Sequence, residues 1–156
     1  MSVIIAPIDF SVTTPPVIKT ATYLASISKT PLILCHVVEP IPQFVSGDAS
    51  FTPVQIPVPQ DTAHFAQQLE EWEKKAKETY SETSSRLLTG LAVEEVLSLA
   101  KLLSASFLVL GSHGHGALYN LFVGSVVTGI LKRAPLPVVV VPAARNIEKQ
   151  GKVENV

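Results

Sequence analysis

Residues 107–125, FLVLGSHGHGALYNLFVGS, carry the pattern that decides the fold. The segment opens with four apolar residues, 107–110, which are typical of a strand buried on both faces. Glycines follow at Gly111, Gly114 and Gly116, and Gly124 and Ser125 precede an apolar stretch that ends at Lys132-Arg133. Basic residues suit the negative C-terminal end of a helix. The segment therefore predicts a strand, a glycine-rich loop and a helix over 125–133.

The rest of the chain repeats this alternation of strand and helix. Further apolar runs predict buried strands, and stretches with apolar residues three and four apart predict amphipathic helices. The strands are expected at 3–8, 32–38 and 138–141, and the helices from Thr14 to about residue 28, over 61–83 and over 91–103. Alternating strands and helices indicate an α/β fold, a three-layer sandwich in which helices cover both faces of a mostly parallel sheet.

Composition sets the class of protein. The chain has 156 residues, of which 47% are hydrophobic and 16% charged. This length suits one domain, predicted over 1–142 with a proline-rich loop at 40–60 and a polar tail at 143–156. A single cysteine cannot form an internal disulfide, and a net charge of −1 provides no basic field for nucleic acid. We also find no signal peptide or membrane span, so we expect a cytoplasmic protein.

Three predicted strands end in residues that suit a phosphorylated ligand. In open α/β sheets, ligands lie beyond the carboxyl ends of the strands, where the strand order reverses. Glycines allow a phosphate to approach the backbone, and the N–H groups at the start of the helix at Ser125 can bind an anion. Asp9 could accept hydrogen bonds from ribose hydroxyls, and the backbone near Val37 could bind an adenine edge. Glycines between a strand and a helix are also common turn residues.

The spacing of Gly111, Gly114, Gly124 and Ser125 resembles the ATP-binding signature of the universal stress protein family, G-x-x-G followed by nine residues and G-S or G-T. The resemblance implies a five-stranded sheet of order 3-2-1-4-5, here with a third strand that we expect to be short or missing. It also implies ATP, or AMP or ADP, with Mg²⁺ as ligand, and a homodimer formed through residues 138–141. The residues that it implies for the nucleotide site are Pro7, Ile8, Asp9, Val37, Leu110, Gly111, Ser112, His113, Gly114, His115, Gly124, Ser125 and Val126.

Other interpretations of these residues have less support. His113 and His115, with Cys35 and His36, supply the residue types of a zinc site, but their spacing is not that of a known zinc motif. No second carboxylate accompanies Asp9, so we expect hydrolysis to be slow at most and catalytic residues to be absent. The expected function is a nucleotide-dependent regulatory or stress-response module. The alternative is a dimeric interaction scaffold that needs no nucleotide. A third possibility is that residues 43–60 fold over the nucleotide as a lid.

Overall fold

The computed structural model describes residues 2–40, 62–112 and 124–143, which form five strands and four helices. In chain order these are β1 (Ile4–Pro7), α1 (Thr14–Ser28), β2 (Leu32–Val38), α2 (Ala63–Thr79), β3 (Thr83–Thr89), α3 (Ala92–Leu102), β4 (Phe107–Gly111), α4 (Ser125–Arg133) and β5 (Val138–Val141). The predicted proline-rich loop beyond Pro40, residues 113–123 and the predicted tail from residue 144 lie outside the described residues.

The strands form one sheet in the order β3-β2-β1-β4-β5, and every pair of neighbours is parallel. β1 lies at the centre, where Ile4 pairs with Leu32 of β2 on one side and with Phe107 of β4 on the other. This arrangement confirms the α/β class and the order 3-2-1-4-5. It also brings the carboxyl ends of β1 and β4, and hence Asp9 and Gly111, to neighbouring positions at one edge of the sheet.

Two hydrophobic clusters cover the two faces of the sheet. Successive side chains of a strand point to opposite faces, and β1 follows this rule because Ile4 and Ala6 belong to one cluster whereas Ile5 belongs to the other. The first cluster includes Val17 of α1 and Leu69 of α2, and the second includes residues of α3 and α4. The three layers predicted from the sequence are therefore confirmed.

The prediction of a short or missing third strand was wrong. β3 has seven residues, as many as β2, and pairs with β2 along its whole length from Thr83 to Thr89. Its sequence TSSRLLT lacks the continuous apolar run of the central strands, because Ser84 and Arg86 are exposed on an edge strand. Polar and charged side chains are typical of edge strands. A search for continuous apolar runs therefore underestimated the length of this strand.

Thr14 as the N-cap would put the first helical residue at Pro15, and helix α1 begins one residue earlier than that. Thr14 is the first helical residue and Thr13 is the N-cap, with no hydrogen bond from its side chain to the first turn. The next two residues, Pro15 and Pro16, have fixed φ values suited to the first turn of a helix. The charged helix predicted over 61–83 is observed as α2, with Trp72 packed partly against the first cluster. Of the helices in the described chain, none is long and apolar enough to cross a membrane.

Candidate functional site

A cavity of about 400 Å³ opens where the carboxyl ends of β1, β2 and β4 meet the N-terminal ends of three helices. From β1 the chain passes through α1 to β2 on one side, and from β4 it passes through α4 to β5 on the other. This is the point at which the strand order reverses, and ligands of open α/β sheets bind there. The lining residues are Pro7, Ile8, Asp9, Thr13, Thr14, Val17, His36, Val37, Ala92, Val96, Leu110, Gly111, Gly124, Ser125, Val126 and Val127.

Nine of the thirteen predicted site residues line this cavity: Pro7, Ile8, Asp9, Val37, Leu110, Gly111, Gly124, Ser125 and Val126. Ser112 is not among the lining residues. It is 8% exposed and is held between β5 and α4, since its N–H donates to the Val141 carbonyl and its own carbonyl accepts from the Gly124 N–H. The remaining three, His113, Gly114 and His115, lie outside the described residues.

The end of β1 is shaped by Asp9. Its Oδ1 accepts a hydrogen bond from the Ser11 N–H at 3.0 Å, an Asx-type turn that leads the chain toward α1. Between them, Phe10 has a φ of 62°, the left-handed region that non-glycine residues seldom adopt. The chain therefore reverses sharply at the mouth of the cavity. This turn keeps the Asp9 side chain at the end of the strand.

His36 ties the end of β2 to the end of β1. Its Nδ1 donates a hydrogen bond to the Ile8 carbonyl at 2.8 Å, which requires a proton on Nδ1. The imidazole ring packs against two aromatic rings, with its centroid 4.3 Å from that of Phe10 and 5.2 Å from that of Phe65. These contacts fix the ring beside the cavity, next to Val37. They also join α2, which contributes Phe65, to the turn after β1.

Gly111 is required by close packing rather than by its backbone angles. A Cβ atom at this position would lie 2.6 Å from Thr13 Oγ1 and 2.9 Å from Thr13 Cβ, closer than real side chains approach. Of the glycines in the described ranges, only Gly90 has a positive φ. From the sequence, we expected a glycine here either to allow a positive φ or to let a phosphate approach the backbone. In the structure, Thr13, the N-cap of α1, is also a direct neighbour of Gly111.

The N-terminus of α4 presents unengaged amide groups to the cavity. Thr128 is the first residue whose N–H bonds back into the helix, to the Gly124 carbonyl at 2.9 Å. The N–H groups of Ser125, Val126 and Val127 precede it and have no acceptor among the described residues, and the Gly124 N-cap has no side chain to cap them. All three residues line the cavity. A helix start of this kind favours an anionic group.

Sequence reasoning missed six lining residues: Thr13, Thr14, Val17, His36, Ala92 and Val96. A signal was available for His36, which precedes the predicted Val37. The remaining lining residue, Val127, belongs to the helix start whose N–H groups were expected to bind an anion. Thr14 and Val17 lie one turn apart at the start of α1, and no local sequence pattern marks them as cavity residues. Ala92 and Val96 come from α3, and no motif marks their contribution.

Cys35 and the candidate metal ligands bear on the zinc interpretation of the site. Cys35 is fully buried, and burial raises the pKa of its thiol to about 12, so it is a neutral core residue. The parts of the chain that the structure describes contain no group of three His, Cys, Asp or Glu residues that could hold a metal ion. His113 and His115 are not among those parts. The zinc interpretation therefore gains no support here.

Comparison with known proteins assigns the class. A model of the universal stress protein family matches residues 1–142, and this chain belongs to that family. No curated protein matches the sequence.

Solved structures share the fold at low sequence identity. Universal stress protein UspA from Lactobacillus plantarum superposes with a TM-score of 0.73 at 21% identity, over 90% of this chain and 97% of that one. A universal stress protein from Archaeoglobus fulgidus in complex with dAMP gives a TM-score of 0.68 at 17% identity, over 90% of this chain and 98% of that one. A universal stress protein in complex with cAMP gives a TM-score of 0.67 at 20% identity, over 92% of this chain and 98% of that one. At these identities the likeness establishes the shared fold.

Proposed function

We propose that this chain binds an adenine nucleotide in the cavity between β1 and β4, with the phosphates at the start of α4. The observation that carries this proposal is that the N–H groups of Ser125, Val126 and Val127 have no acceptor among the described residues, and that these residues line the same cavity as Asp9 and Val37. Amide groups at a helix N-terminus stabilise negative charge, and a cavity lined by the first turn of such a helix suits a phosphate. Family membership and the dAMP and cAMP complexes of two structural neighbours support the same ligand class.

The residues divide into three groups in this proposal. Gly111, Gly124, Ser125 and Val126 contact the phosphates, and the Ser125 hydroxyl adds one further donor. Asp9, at the end of β1 on the cavity wall, accepts hydrogen bonds from the ribose hydroxyls. The backbone of Val37 binds the adenine edge, with Val96 packing against the base. His113, Gly114 and His115 stay predicted phosphate contacts.

ATP with Mg²⁺ is the ligand that we propose, with ADP and AMP as the alternatives. Mg²⁺ in nucleotide sites is held by one or two carboxylates together with the phosphates and water. Asp9 is the one carboxylate among the described residues that lines the cavity. The donor set therefore fits a Mg²⁺ ion that enters with the nucleotide, with Asp9 as the protein group nearest to hold it. The ion would neutralise phosphate charge.

The biological role that we propose is regulatory. Fast hydrolysis needs a positioned water molecule and a metal clamp, and a single carboxylate at the end of β1 is a poor basis for both. We therefore expect nucleotide hydrolysis to be slow at most. The nucleotide then acts as a signal that the protein senses, within a stress response in the cytoplasm.

Isothermal titration calorimetry tests the binding proposal. We expect the wild-type chain to bind ATP, with Mg²⁺ present and absent, and to prefer adenine over guanine nucleotides. Gly124 has a φ of −57° and a ψ of 155°, values that any residue adopts, so Gly124→Val leaves the backbone unstrained and places a side chain where the phosphate lies. Ser125→Ala removes one donor, and Ser26→Ala, on the exposed part of α1, is its matched control.

We expect Gly124→Val to abolish binding, Ser125→Ala to weaken it about tenfold, as for loss of one charge-assisted hydrogen bond, and Ser26→Ala to change nothing. Absence of heat with the wild-type chain at millimolar ATP would refute the proposal. Unchanged affinity in both site variants would refute the location of the phosphates.

Self-association through β5 is a second proposed property, and the two edges of the sheet favour it. The β3 edge exposes Ser84 and Arg86, whereas β5 consists of four valines, with Val140 36% exposed. An apolar edge strand offers backbone groups and side chains to a second copy, while polar side chains discourage such pairing. If the dimer forms equally well without nucleotide, the scaffold function becomes the better description. Sedimentation velocity with and without ATP separates the two.

A further inference from the structure

Thr14 has a hydroxyl group that the described part of the chain leaves without a partner. Thr14 is 1% exposed, and its Oγ1 has no hydrogen-bond partner among the described residues. The other threonines within α1 differ. Thr20 and Thr22 donate from Oγ1 to the carbonyls of Pro16 and Ile18, four residues earlier, each at 2.9 Å. Thr14 is the first residue of the helix, so it has no helical carbonyl behind it to accept such a bond.

A buried hydroxyl without a partner is costly for the folded state. Its bonds to water are lost on folding and nothing replaces them, so such groups are rare in native proteins. The cost could be avoided by a valine of nearly the same shape. Thr14 also lines the cavity, together with Thr13 and Val17 of the same helix turn. This location indicates that a group bound in the cavity completes the hydrogen bonding.

The first turn of α1 has no other donor to give. The Thr14 N–H bonds to the Ser11 carbonyl at 3.0 Å and the Val17 N–H to the Thr13 carbonyl at 3.1 Å. Between them, Pro15 and Pro16 have no N–H groups at all. In contrast to α4, the first turn of α1 therefore offers no unbonded amide N–H group to the cavity. The Thr14 hydroxyl is the remaining hydrogen-bond donor of that turn.

The position of Thr14 relates it to the phosphate end of the cavity. Thr14 and Val17 are one helical turn apart on the same side of α1. Val17 Cγ2 lies 3.4 Å from the Cβ position of Gly111, which belongs to the glycine pattern of the phosphate site. The first turn of α1, which carries Thr14, therefore lies on the Gly111 side of the cavity.

We propose that Thr14 is a ligand-binding residue whose hydroxyl donates a hydrogen bond to a phosphate oxygen of the bound nucleotide. This inference rests on the proposed function and adds a contact from α1 to those from α4. Threonine in a helix populates two χ1 rotamers, so rotation about Cα–Cβ exchanges the hydroxyl and the methyl group without moving the backbone. The hydroxyl turns to the phosphate in the complex and is enclosed by protein in its absence.

Thr14→Val and Thr14→Ser test this contact by calorimetry with AMP, ATP and adenosine. Thr22→Val is the matched control, because it removes a buried hydroxyl of the same helix that has an acceptor within the helix. We expect Thr14→Val to weaken AMP and ATP about tenfold, as for one lost hydrogen bond to a charged group. Adenosine, which has no phosphate, should bind Thr14→Val and the wild-type chain alike. Thr14→Ser and Thr22→Val should keep the wild-type affinities.

Urea unfolding without nucleotide supplies a second readout. Thr14→Val should unfold at the same or a higher midpoint than the wild-type chain, because it removes a buried hydroxyl that has no partner. Unchanged AMP and ATP affinity in Thr14→Val would overturn the inference, as would an equal loss for adenosine or a lowered midpoint. If the wild-type chain binds none of the three ligands, the proposed function itself fails, which is a different result from wild-type binding that Thr14→Val retains.

Discussion

Gly111 and Thr13 are in such close contact that a Cβ atom on Gly111 would lie 2.6 Å from Thr13 Oγ1. The contact joins the last residue of β4 to the N-cap of α1, two residues that are 98 positions apart in the chain. It sets how closely α1 approaches the sheet at the edge where the cavity opens. A glycine of the nucleotide signature thus also has a structural task in this protein.

The first prediction concerns this contact. Gly111→Ala should destabilise the fold by about 1–3 kcal/mol, the usual cost of forcing an extra methyl group into a packed position. Urea unfolding measures the loss. Thr13→Ala in the same chain should restore part of it, because the 2.6 Å contact disappears whereas the 2.9 Å contact to Cβ stays. Additive effects of the two substitutions would contradict this account of Gly111.

A second prediction concerns the single cysteine. Burial raises the pKa of Cys35 to about 12, so the native thiol is neutral at any ordinary pH and closed to reagents. A disulfide reagent at pH 8 should not label the native chain. In urea it should label one thiol per chain, and the labelled fraction should follow the unfolded fraction. Above a pH of about 8.5, the unfolded thiol loses its proton and the folded one keeps it, so this group lowers stability as the pH rises. Rapid labelling of the native chain would show that Cys35 is accessible.

A third prediction follows from Glu73, which links α2 to the edge strand. Its Oε2 accepts from Ser85 Oγ and its Oε1 from Lys77 Nζ, each at 2.5 Å. Burial raises the pKa of Glu73, but these hydrogen bonds outweigh burial and hold the pKa below its usual value. The stabilisation is complete above the unfolded pKa of about 4.3 and is lost as the pH falls through the folded value. The unfolding midpoint of Glu73→Gln should therefore fall less steeply below pH 4 than that of the wild-type chain.

A fourth prediction addresses self-association. Val140→Lys places a charge on the β5 edge, where charged side chains discourage pairing between strands. Val140 is 36% exposed, so the monomer should tolerate the lysine with little change in unfolding midpoint. Sedimentation velocity should give a dimer for the wild-type chain and a monomer for Val140→Lys. Arg86→Lys on the opposite edge is the control. A wild-type monomer at micromolar concentration would remove the dimer proposal.

The sequence predicts most of the fold because the central strands and two of the helices follow strong rules. Residues 32–38, 125–133 and 138–141 were predicted with the bounds that the structure has. Their apolar runs, the glycine before α4 and the prolines after it all favour one structure. The same search for apolar runs missed β3, because the exposed Ser84 and Arg86 interrupt its apolar residues.

The site was predictable where a motif lies at a strand end and not where helices approach from outside. Asp9, Val37 and Gly124 follow from their places after strands or before a helix. Thr14 contributes through the way in which α1 packs over Gly111, a relationship between distant residues that no local pattern contains. The same holds for Val96 of α3.

The most direct test of the central claim is a nuclear magnetic resonance titration of the ¹⁵N-labelled chain with ATP. We expect the largest amide shifts at Ser125, Val126 and Val127, with smaller ones at Gly111, because these N–H groups would gain a phosphate acceptor. Lys74 and Lys75, on the exposed face of α2, report non-specific attraction of the anion and should not move. Shifts confined to such lysines, or no shifts at millimolar ATP, would contradict the assignment of this cavity as a nucleotide site.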